Sequence, residues 1–144
     1  MNTLLNCQCP FCGEGVLKRE SRDIEYSYHG HFLLISQPGL YCTDCSESIL
    51  EPSDMKATRV DLQEFRSRID GLLGPRDVRK LRKAIGWTQE EAGTILGGGH
   101  NAFSRYERGE LAPPKAVGLL LSLLGKHKEL RDEVSPEYMR VFEK

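Results

Sequence analysis

Four cysteines in two short motifs have the residue type and spacing of a metal site. Cys9-Pro-Phe-Cys12 and Cys42-Thr-Asp-Cys45 are both C-x2-C motifs, and 29 residues lie between Cys12 and Cys42. Each motif can chelate one edge of a tetrahedral Zn²⁺ at thiolate–metal distances of about 2.3 Å. Two motifs complete a shell of four thiolates that leaves no position for water. The sequence therefore predicts one structural zinc ion per chain, held by Cys9, Cys12, Cys42 and Cys45.

Other interpretations of the cysteines remain open at this point. The four could be buried free thiols, could form a disulfide, or could release a metal on oxidation. Cys7 forms an alternative C-x-C with Cys9, but we interpret it as a surface thiol. His29 and His31 could replace a thiolate, although with four cysteines present we expect them to pack on strands or lie at the surface. The separation of the motifs exceeds the usual ribbon spacing, so we predict a β excursion between them.

A helical pattern in the second half places a further set of candidate residues. Gly86 ends a first helix, Thr88-Gln89-Glu90-Glu91 forms a capping box for a second, and Gly97-Gly98-Gly99 makes a turn. A third helix begins near His100 or Asn101, and Pro113-Pro114 opens a fourth. The apolar residues that we expect the helices to bury are Val78, Leu81, Ile85, Ala92, Ile95, Leu96, Phe103, Tyr106, Val117, Leu120, Leu121 and Leu124.

The third helix has the residue types of a DNA-reading helix. With Phe103 and Tyr106 inward, the outward residues are His100, Asn101, Ser104 and Arg105. Asn can bridge adenine N6 and N7, and Arg can bridge guanine O6 and N7, so we predict base contacts for Asn101 and Arg105. Alternatively, Asn101 is only an N-cap and Arg105 a phosphate ligand. His100 and Ser104 suit base or phosphate contacts equally.

The run Asn101-Ala-Phe-Ser-Arg-Tyr-Glu-Arg-Gly109, together with Thr88-Gln89, resembles the Xre/phage-repressor type of helix-turn-helix domain. The resemblance implies that Gln89, at the start of the second helix, contacts the DNA backbone. It also implies a structural ion pair between Arg82 and Glu107, which match the positions that pair in repressor-like domains.

The segment Gly71-Leu72-Leu73-Gly74-Pro75 separates regions of different periodicity, so we predict domains at 1–70 and 71–144. Upstream of it, Ser53 is expected to cap a helix that runs to Ile69. The strand-like runs Ile24–Tyr28 and His31–Ile35 flank a predicted turn, and Ser36–Gly39 is expected to break the second run. The predicted fold class is α+β, with a small β-rich zinc domain followed by an all-α helix-turn-helix domain.

The charge is unevenly distributed. Residues 1–70 carry 7 Lys and Arg against 11 Asp and Glu, a net charge of −4, whereas residues 71–144 carry 13 against 10, a net charge of +3. Only the second half suits a polyanion, and only mildly. The sequence shows no secretory signal and no apolar run of membrane-spanning length. We therefore expect a cytoplasmic protein, in which thiols stay reduced.

Both halves together resemble the MqsA-type antitoxins. The motifs that carry the resemblance are Cys-Pro-Phe-Cys, then Pro-Gly-Leu-Tyr-Cys-Thr-Asp-Cys-Ser-Glu-Ser-Ile, then Leu-Gly-Gly-Gly-His-Asn-Ala-Phe-Ser-Arg-Tyr-Glu-Arg-Gly. The resemblance covers roughly residues 7 to 130. It implies that the zinc domain neutralises a toxin, in the best-known members an mRNA-cleaving ribonuclease. It also implies that the helix-turn-helix domain forms a homodimer and represses its own operon at a palindromic operator.

The acidic first half suits the basic surface of an RNA-cutting toxin. Candidate anchors for that partner are Tyr26, Tyr28, Phe32, Leu33 and Ile35, unless they fill the domain's own core. The alternative function is a stand-alone transcriptional regulator with a metal- or redox-sensing zinc domain. We predict no catalytic residues, since the clustered nucleophiles are the zinc-binding cysteines. The tail from Lys126 to Lys144, with Tyr138, Val141 and Phe142, could add a helix to the dimer surface or could simply be frayed.

Overall fold

The computed structural model describes residues 3–134, which form two compact units that divide between Arg59 and Val60. The strands are β1 (Leu17–Tyr28), β2 (His31–Cys42) and β3 (Ser48–Ile49). The helices are α1 (Pro52–Asp70), α2 (Pro75–Ile85), α3 (Gln89–Leu96), α4 (Ala102–Glu107) and α5 (Lys115–Lys126), followed by a 3₁₀ helix at Lys128–Val134. This arrangement confirms the α+β fold class. The division lies inside α1, and the domain boundary at 70/71 stays a prediction.

A long antiparallel hairpin dominates the first unit. β1 pairs with β2 from Leu17↔Cys42 to Tyr28↔His31, and β3 adds two residues to β2, giving the order β1-β2-β3. His29 and Gly30 both have positive φ, 47° and 78°, as the favoured two-residue hairpin turn requires. The turn predicted at these residues is confirmed.

The predicted break at Ser36–Gly39 is wrong, because β2 continues through it in register with β1. Pro38 lacks an N–H donor, but this part of β2 is paired on one side only, where a proline is tolerated. A Cβ on Gly39 would lie 2.6 Å from Leu50 Cδ2, so glycine here allows the chain after β3 to approach closely. Proline and glycine usually indicate the end of a strand in a sequence, but here the sheet accommodates both residues within β2.

The start of α1 is fixed by the hairpin and not by the predicted cap. Pro52 is the first helical residue, a position where its missing N–H leaves nothing unsatisfied, so Ser53 lies inside the helix and is not the N-cap. The Asp54 carboxylate accepts the Glu51 N–H at 2.9 Å and also binds Arg19 of β1 at 2.5 Å. The buried Gln37 of β2 donates to the Asp54 carbonyl at 3.0 Å. The first turn of α1 is therefore anchored on the sheet.

The second unit packs its helices around Phe103, which is fully buried. The capping box predicted at Thr88 and Glu91 is present, with bonds in both directions, and α2 ends at Gly86 as predicted. The other buried members of this core are Val78, Ile85, Trp87, Ala92, Ala102, Tyr106, Leu121 and Leu124. Leu81, Ile95, Leu96, Val117 and Leu120 are only partly buried against it. The tail residues Tyr138, Val141 and Phe142 lie outside the described residues.

Candidate metal centre and nucleic-acid interface

The fold brings the four predicted cysteines together at one end of the hairpin. Their Sγ atoms all lie within 4.8 Å of one another, and the pairs Cys9–Cys45 and Cys12–Cys42 are 3.8 and 3.7 Å apart. A tetrahedral zinc with bonds of about 2.3 Å requires sulfur–sulfur edges of about 3.8 Å. The donor set and its dimensions therefore fit Zn²⁺.

Short loops direct backbone N–H groups at two of the sulfurs. Asp44 N and Cys45 N each lie 3.4 Å from Cys42 Sγ, and Gly15 N lies 3.4 Å from Cys12 Sγ. Such donors stabilise thiolate charge. The two loops are also joined directly, since Thr43 N donates to Val16 O at 3.1 Å and Thr43 Oγ1 accepts from Val16 N at 3.1 Å.

The thiols are in electrostatic conflict unless a cation lies between them. Backbone N–H groups of Cys45 and Asp44 lower the pKa of Cys42 to about 7. At Cys45 the Glu47 N–H lowers the pKa, but burial and the neighbouring thiols outweigh it and raise the pKa to about 12. One sulfur thus ionises readily and the other resists. A divalent ion removes this conflict, because it stabilises every thiolate at once.

Zinc here supports the fold. Cys9 and Cys42 are almost fully buried, and among the described residues they share a small buried cluster with Leu17 and Leu40. A core this small needs the metal, which supplies roughly 10–16 kcal/mol of apparent folding free energy in small zinc domains.

Gly15 is a site residue that the sequence analysis missed. A Cβ there would lie 2.5 Å from Cys42 Sγ and 3.0 Å from Asp44 N, so only glycine fits beside the ligand. A glycine three residues after Cys12 is the only signal, and it does not tell a close approach from an ordinary turn. Cys7 lies outside the sulfur cluster, exposed, and donates to Thr3 O at 2.9 Å. His29 and His31 lie at the far end of the hairpin, His29 in its turn and His31 as the first residue of β2.

The second candidate site is the helix-turn-helix formed by α3 and α4. Gly97, Gly98 and Gly99 connect the helices with φ of 95°, 92° and 85°, a region that side chains other than glycine rarely adopt. α4 begins at Ala102, two residues later than its earliest predicted start, and Phe103 and Tyr106 point inward, 0% and 5% exposed. His100, Asn101 and Arg105 are exposed, and Ser104 is half-buried.

Asn101 occupies the N-cap position of α4, but its side chain makes no capping hydrogen bond. Its amide is therefore not committed to the helix terminus, which removes one argument against a base contact. The Arg105 Nε lies 3.2 Å from Glu110 Oε2, and the arginine side chain is 53% exposed.

A buried ion pair supports the helix-turn-helix from inside. Arg82 Nε donates to Glu107 Oε1 at 2.5 Å and Arg82 Nη2 donates to Glu107 Oε2 at 3.2 Å, with side chains 10% and 6% exposed. This bidentate pair is the one that the repressor resemblance implied. Gln89 Nε2 also donates to Glu107. The predicted DNA-backbone residue Gln89 is thereby held to the ion pair across α3 and α4.

Comparison with known proteins places this architecture. A family model described as "Antitoxin component of bacterial toxin-antitoxin system, MqsA" matches residues 7–135. The chain is 37% identical over 129 residues to Antitoxin MqsA of Escherichia coli (strain K12), covering 88% of this chain and 98% of the relative. The chain belongs to the MqsA antitoxin family.

A solved structure, the N-terminal domain of the E. coli protein MqsA, is 29% identical to this chain, with a TM-score of 0.41. The alignment with this structure covers 45% of this chain and 98% of that domain. The four clustered sulfurs, at the spacing of a tetrahedral zinc site, confirm the predicted Zn²⁺. Among residues 3–134, no helix combines the length and apolarity needed to cross a membrane.

Proposed function

We propose that this antitoxin neutralises a ribonuclease-type toxin through its zinc domain and represses its own operon by operator binding. Family membership carries the antitoxin assignment. The two separate compact units, one with a zinc centre and one with a helix-turn-helix, support a division of the two tasks. The protein acts by binding and not by catalysis, in the cytoplasm, where its thiols stay available to zinc.

We place the toxin-binding surface on one face of the hairpin. Phe32 and Leu34 are 64% and 69% exposed, and the pairings Ser27↔Phe32 and Glu25↔Leu34 put Glu25 on the same face. Asp23, two residues before Glu25, shares that face because side chains alternate along a strand. Exposed apolar side chains flanked by carboxylates suit a partner that carries basic surface around an RNA-binding groove.

The candidate anchors from the sequence divide between the two faces. Phe32 is exposed as expected, whereas Ile35 is 8% exposed and belongs to the core of its own unit. Tyr26, Tyr28 and Leu33 are half-buried on the face opposite Phe32. Leu34, which was not among the candidates, takes their place on the exposed face.

β1 offers a second mode of contact. It is the outer strand of the sheet, and its first residue, Leu17, also bonds to the backbone of Asn6 and Cys7. Among residues 3–134, β2 is the strand that pairs with the rest of β1, so one row of its backbone groups faces away from the sheet. A partner strand can add to such an edge, in which case the main chain supplies affinity and the neighbouring side chains supply specificity.

The test is toxin binding by the full-length zinc-loaded protein. Phe32→Ala and Leu34→Ala should each weaken binding to the toxin encoded beside this gene by at least about tenfold, in the range of interface hot spots. Met55→Ala is the matched control, an apolar side chain 57% exposed on α1. Equal affinity of all four proteins would place the toxin elsewhere. A locus without a toxin gene would favour the stand-alone regulator.

For operator binding, α4 is the recognition helix, with Asn101 and Arg105 contacting bases. Arg105→Ala should lose about 1–3 kcal/mol of operator-binding free energy and the preference for one guanine. Asn101→Ala should lose a similar amount and the preference for one adenine. His100 and Ser104 at the start of the helix contact bases or phosphates, and Gln89 contacts a phosphate. A binding-site selection with each variant decides, because a phosphate contact weakens all sequences alike.

The operator is palindromic because the protein is a homodimer. Leu119 and Leu123 are 59% and 53% exposed and lie four residues apart on α5, so they form an apolar stripe on one side of the helix. Burying this stripe against a second copy pairs two recognition helices on half-sites about 10 base pairs, or a small multiple, apart. Leu119→Glu should produce monomers in sedimentation at micromolar concentration. A wild-type monomer that still binds operator one to one would contradict the dimer.

A further inference from the structure

The C-terminal end of the recognition helix places one carboxylate against two arginines. Arg105 Nε lies 3.2 Å from Glu110 Oε2, and Arg108 Nη2 lies 3.2 Å from Glu110 Oε1. The two arginine side chains are 53% and 56% exposed, and the glutamate side chain is 27% exposed. The carboxylate is thus the more enclosed member of this charged cluster.

The backbone fixes where this carboxylate stands. Gly109 has φ of 74°, and its N–H donates to Tyr106 O at 3.2 Å, while Glu110 N donates to Arg105 O at 3.0 Å. These two bonds close the helix in the manner of a Schellman cap, which needs a residue in the left-handed region. The backbone of Glu110 is therefore held next to the backbone of Arg105, so the Glu110 side chain can reach the Arg105 guanidinium.

The position of Glu110 is electrostatically unusual. A negative charge at the C-terminal end of a helix opposes the helix dipole, which by itself favours a cation there. The arginines offset that penalty. In return, the carboxylate partly neutralises both arginines, of which Arg105 is a predicted base contact.

The contact that the structure records between Glu110 and Arg105 is made through the Nε of the guanidinium. A guanidinium reads guanine with two donors of its planar fork. Glu110 Oε2 accepts from Nε, which is not one of the two terminal Nη nitrogens that form the outer edge of the guanidinium. A carboxylate held on Nε fixes the plane of the guanidinium without occupying the edge that meets the base.

We propose that Glu110 is a positioning residue for DNA recognition: it orients Arg105 for guanine and screens Arg105 and Arg108 against indiscriminate phosphate binding. The inference rests on the proposed operator binding. It assigns to Glu110 a share of the specificity although Glu110 itself reads no base. Removal of the carboxylate should therefore change the ratio of the affinities for operator and for random duplex more than it changes the affinity for operator itself.

The experiment compares full-length wild-type, Glu110→Ala and Glu110→Gln proteins on operator, on operator with the Arg105-dependent guanine replaced, and on a random duplex. Glu110→Ala should bind the random duplex more tightly, because one negative charge has left the surface, and should lower the guanine preference at least about fivefold. Glu110→Gln should retain most of that preference, since its amide oxygen still accepts from Nε, but should bind the random duplex more tightly. Glu133→Ala is the control for loss of one exposed negative charge elsewhere in the same unit.

The Arg105→Ala background separates positioning from general electrostatics. There Glu110→Ala should no longer alter the guanine preference, although it should still strengthen binding to random duplex through Arg108. A Glu110→Ala protein that keeps the wild-type guanine preference overturns the assignment while operator binding itself stands. A wild-type protein with no sequence preference overturns the proposed function, and the role of Glu110 with it.

Discussion

Replacing Gly15 with alanine should damage the zinc centre through one methyl group. The added Cβ would lie 2.5 Å from Cys42 Sγ, whereas non-bonded heavy atoms prefer separations of about 3.5–4.0 Å. The two atoms must therefore separate by about 1 Å or more. Zinc–ligand distances tolerate only about 0.2 Å. Asp44 N, 3.0 Å from the same Cβ, restricts movement of the loop that carries Cys42.

The expected loss of zinc affinity lies between the loss caused by removing a group that orients a ligand and the loss caused by removing a ligand itself. Changes to groups that orient metal ligands reduce affinity about 10–100-fold, so Gly15→Ala should raise the zinc dissociation constant by at least about tenfold. Competition with a chromophoric chelator at fixed pH measures this constant for the full-length protein. Thermal unfolding should show destabilisation of the zinc unit, with little change in the helix-turn-helix unit.

Gly13→Ala separates this collision from backbone effects. Gly13 has φ of 72°, and a Cβ added there would have nothing within 4 Å, so alanine brings strain of about 1–2 kcal/mol but no contact with a sulfur. Its zinc affinity should remain closer to wild type than that of Gly15→Ala. Wild-type zinc affinity in Gly15→Ala, or a larger loss in Gly13→Ala, would refute the reasoning.

Three further predictions concern charge. Glu107→Gln leaves the Arg82 guanidinium buried without its counter-charge, so we expect the helix-turn-helix unit to lose about 3–5 kcal/mol in denaturant unfolding; an unchanged midpoint would contradict this. Cys45 has a pKa of about 12 and must lose its proton when zinc binds. The apparent zinc affinity should therefore rise from pH 6 to pH 8, and calorimetry should show net proton release. A pH-independent affinity would count against four thiolate ligands. Arg79→Ala on the exposed side of α2 should weaken operator and random duplex equally and reduce the salt slope, whereas a sequence-selective loss would place that residue on a base.

Local signals in the sequence were sufficient for the end of α2, the start of α3 and the grouping of the four cysteines. The capping box at Thr88 and Glu91 and the stop at Gly86 act within a few residues of themselves, so their chemistry is visible in the sequence. The C-x2-C motifs are similarly local. Because the chain contains two of them, each motif can be expected to share its metal ion with the other.

The remaining features depend on contacts that are distant in sequence. Pro38 and Gly39 lie within β2 because of a free edge and the approach of Leu50, and neither reason is visible in a run of residue types. Pro52 begins α1 because Arg19 and Gln37 of the hairpin fix the next turn. Gly15 and Glu110 acquire their importance from a sulfur and two guanidinium groups that only the fold or the helix cap brings close.

The separation of two binding surfaces is the central claim, and one crossed experiment tests it most directly. Full-length wild type, Phe32→Ala/Leu34→Ala and Arg105→Ala are each co-expressed with the adjacent toxin gene and, separately, with an operator-driven reporter. We predict that the hairpin variant fails to rescue growth but represses the reporter, and that Arg105→Ala rescues growth but does not repress. Loss of both activities in the hairpin variant while it remains folded and zinc-loaded, or failure of Arg105→Ala to rescue growth, would contradict the account.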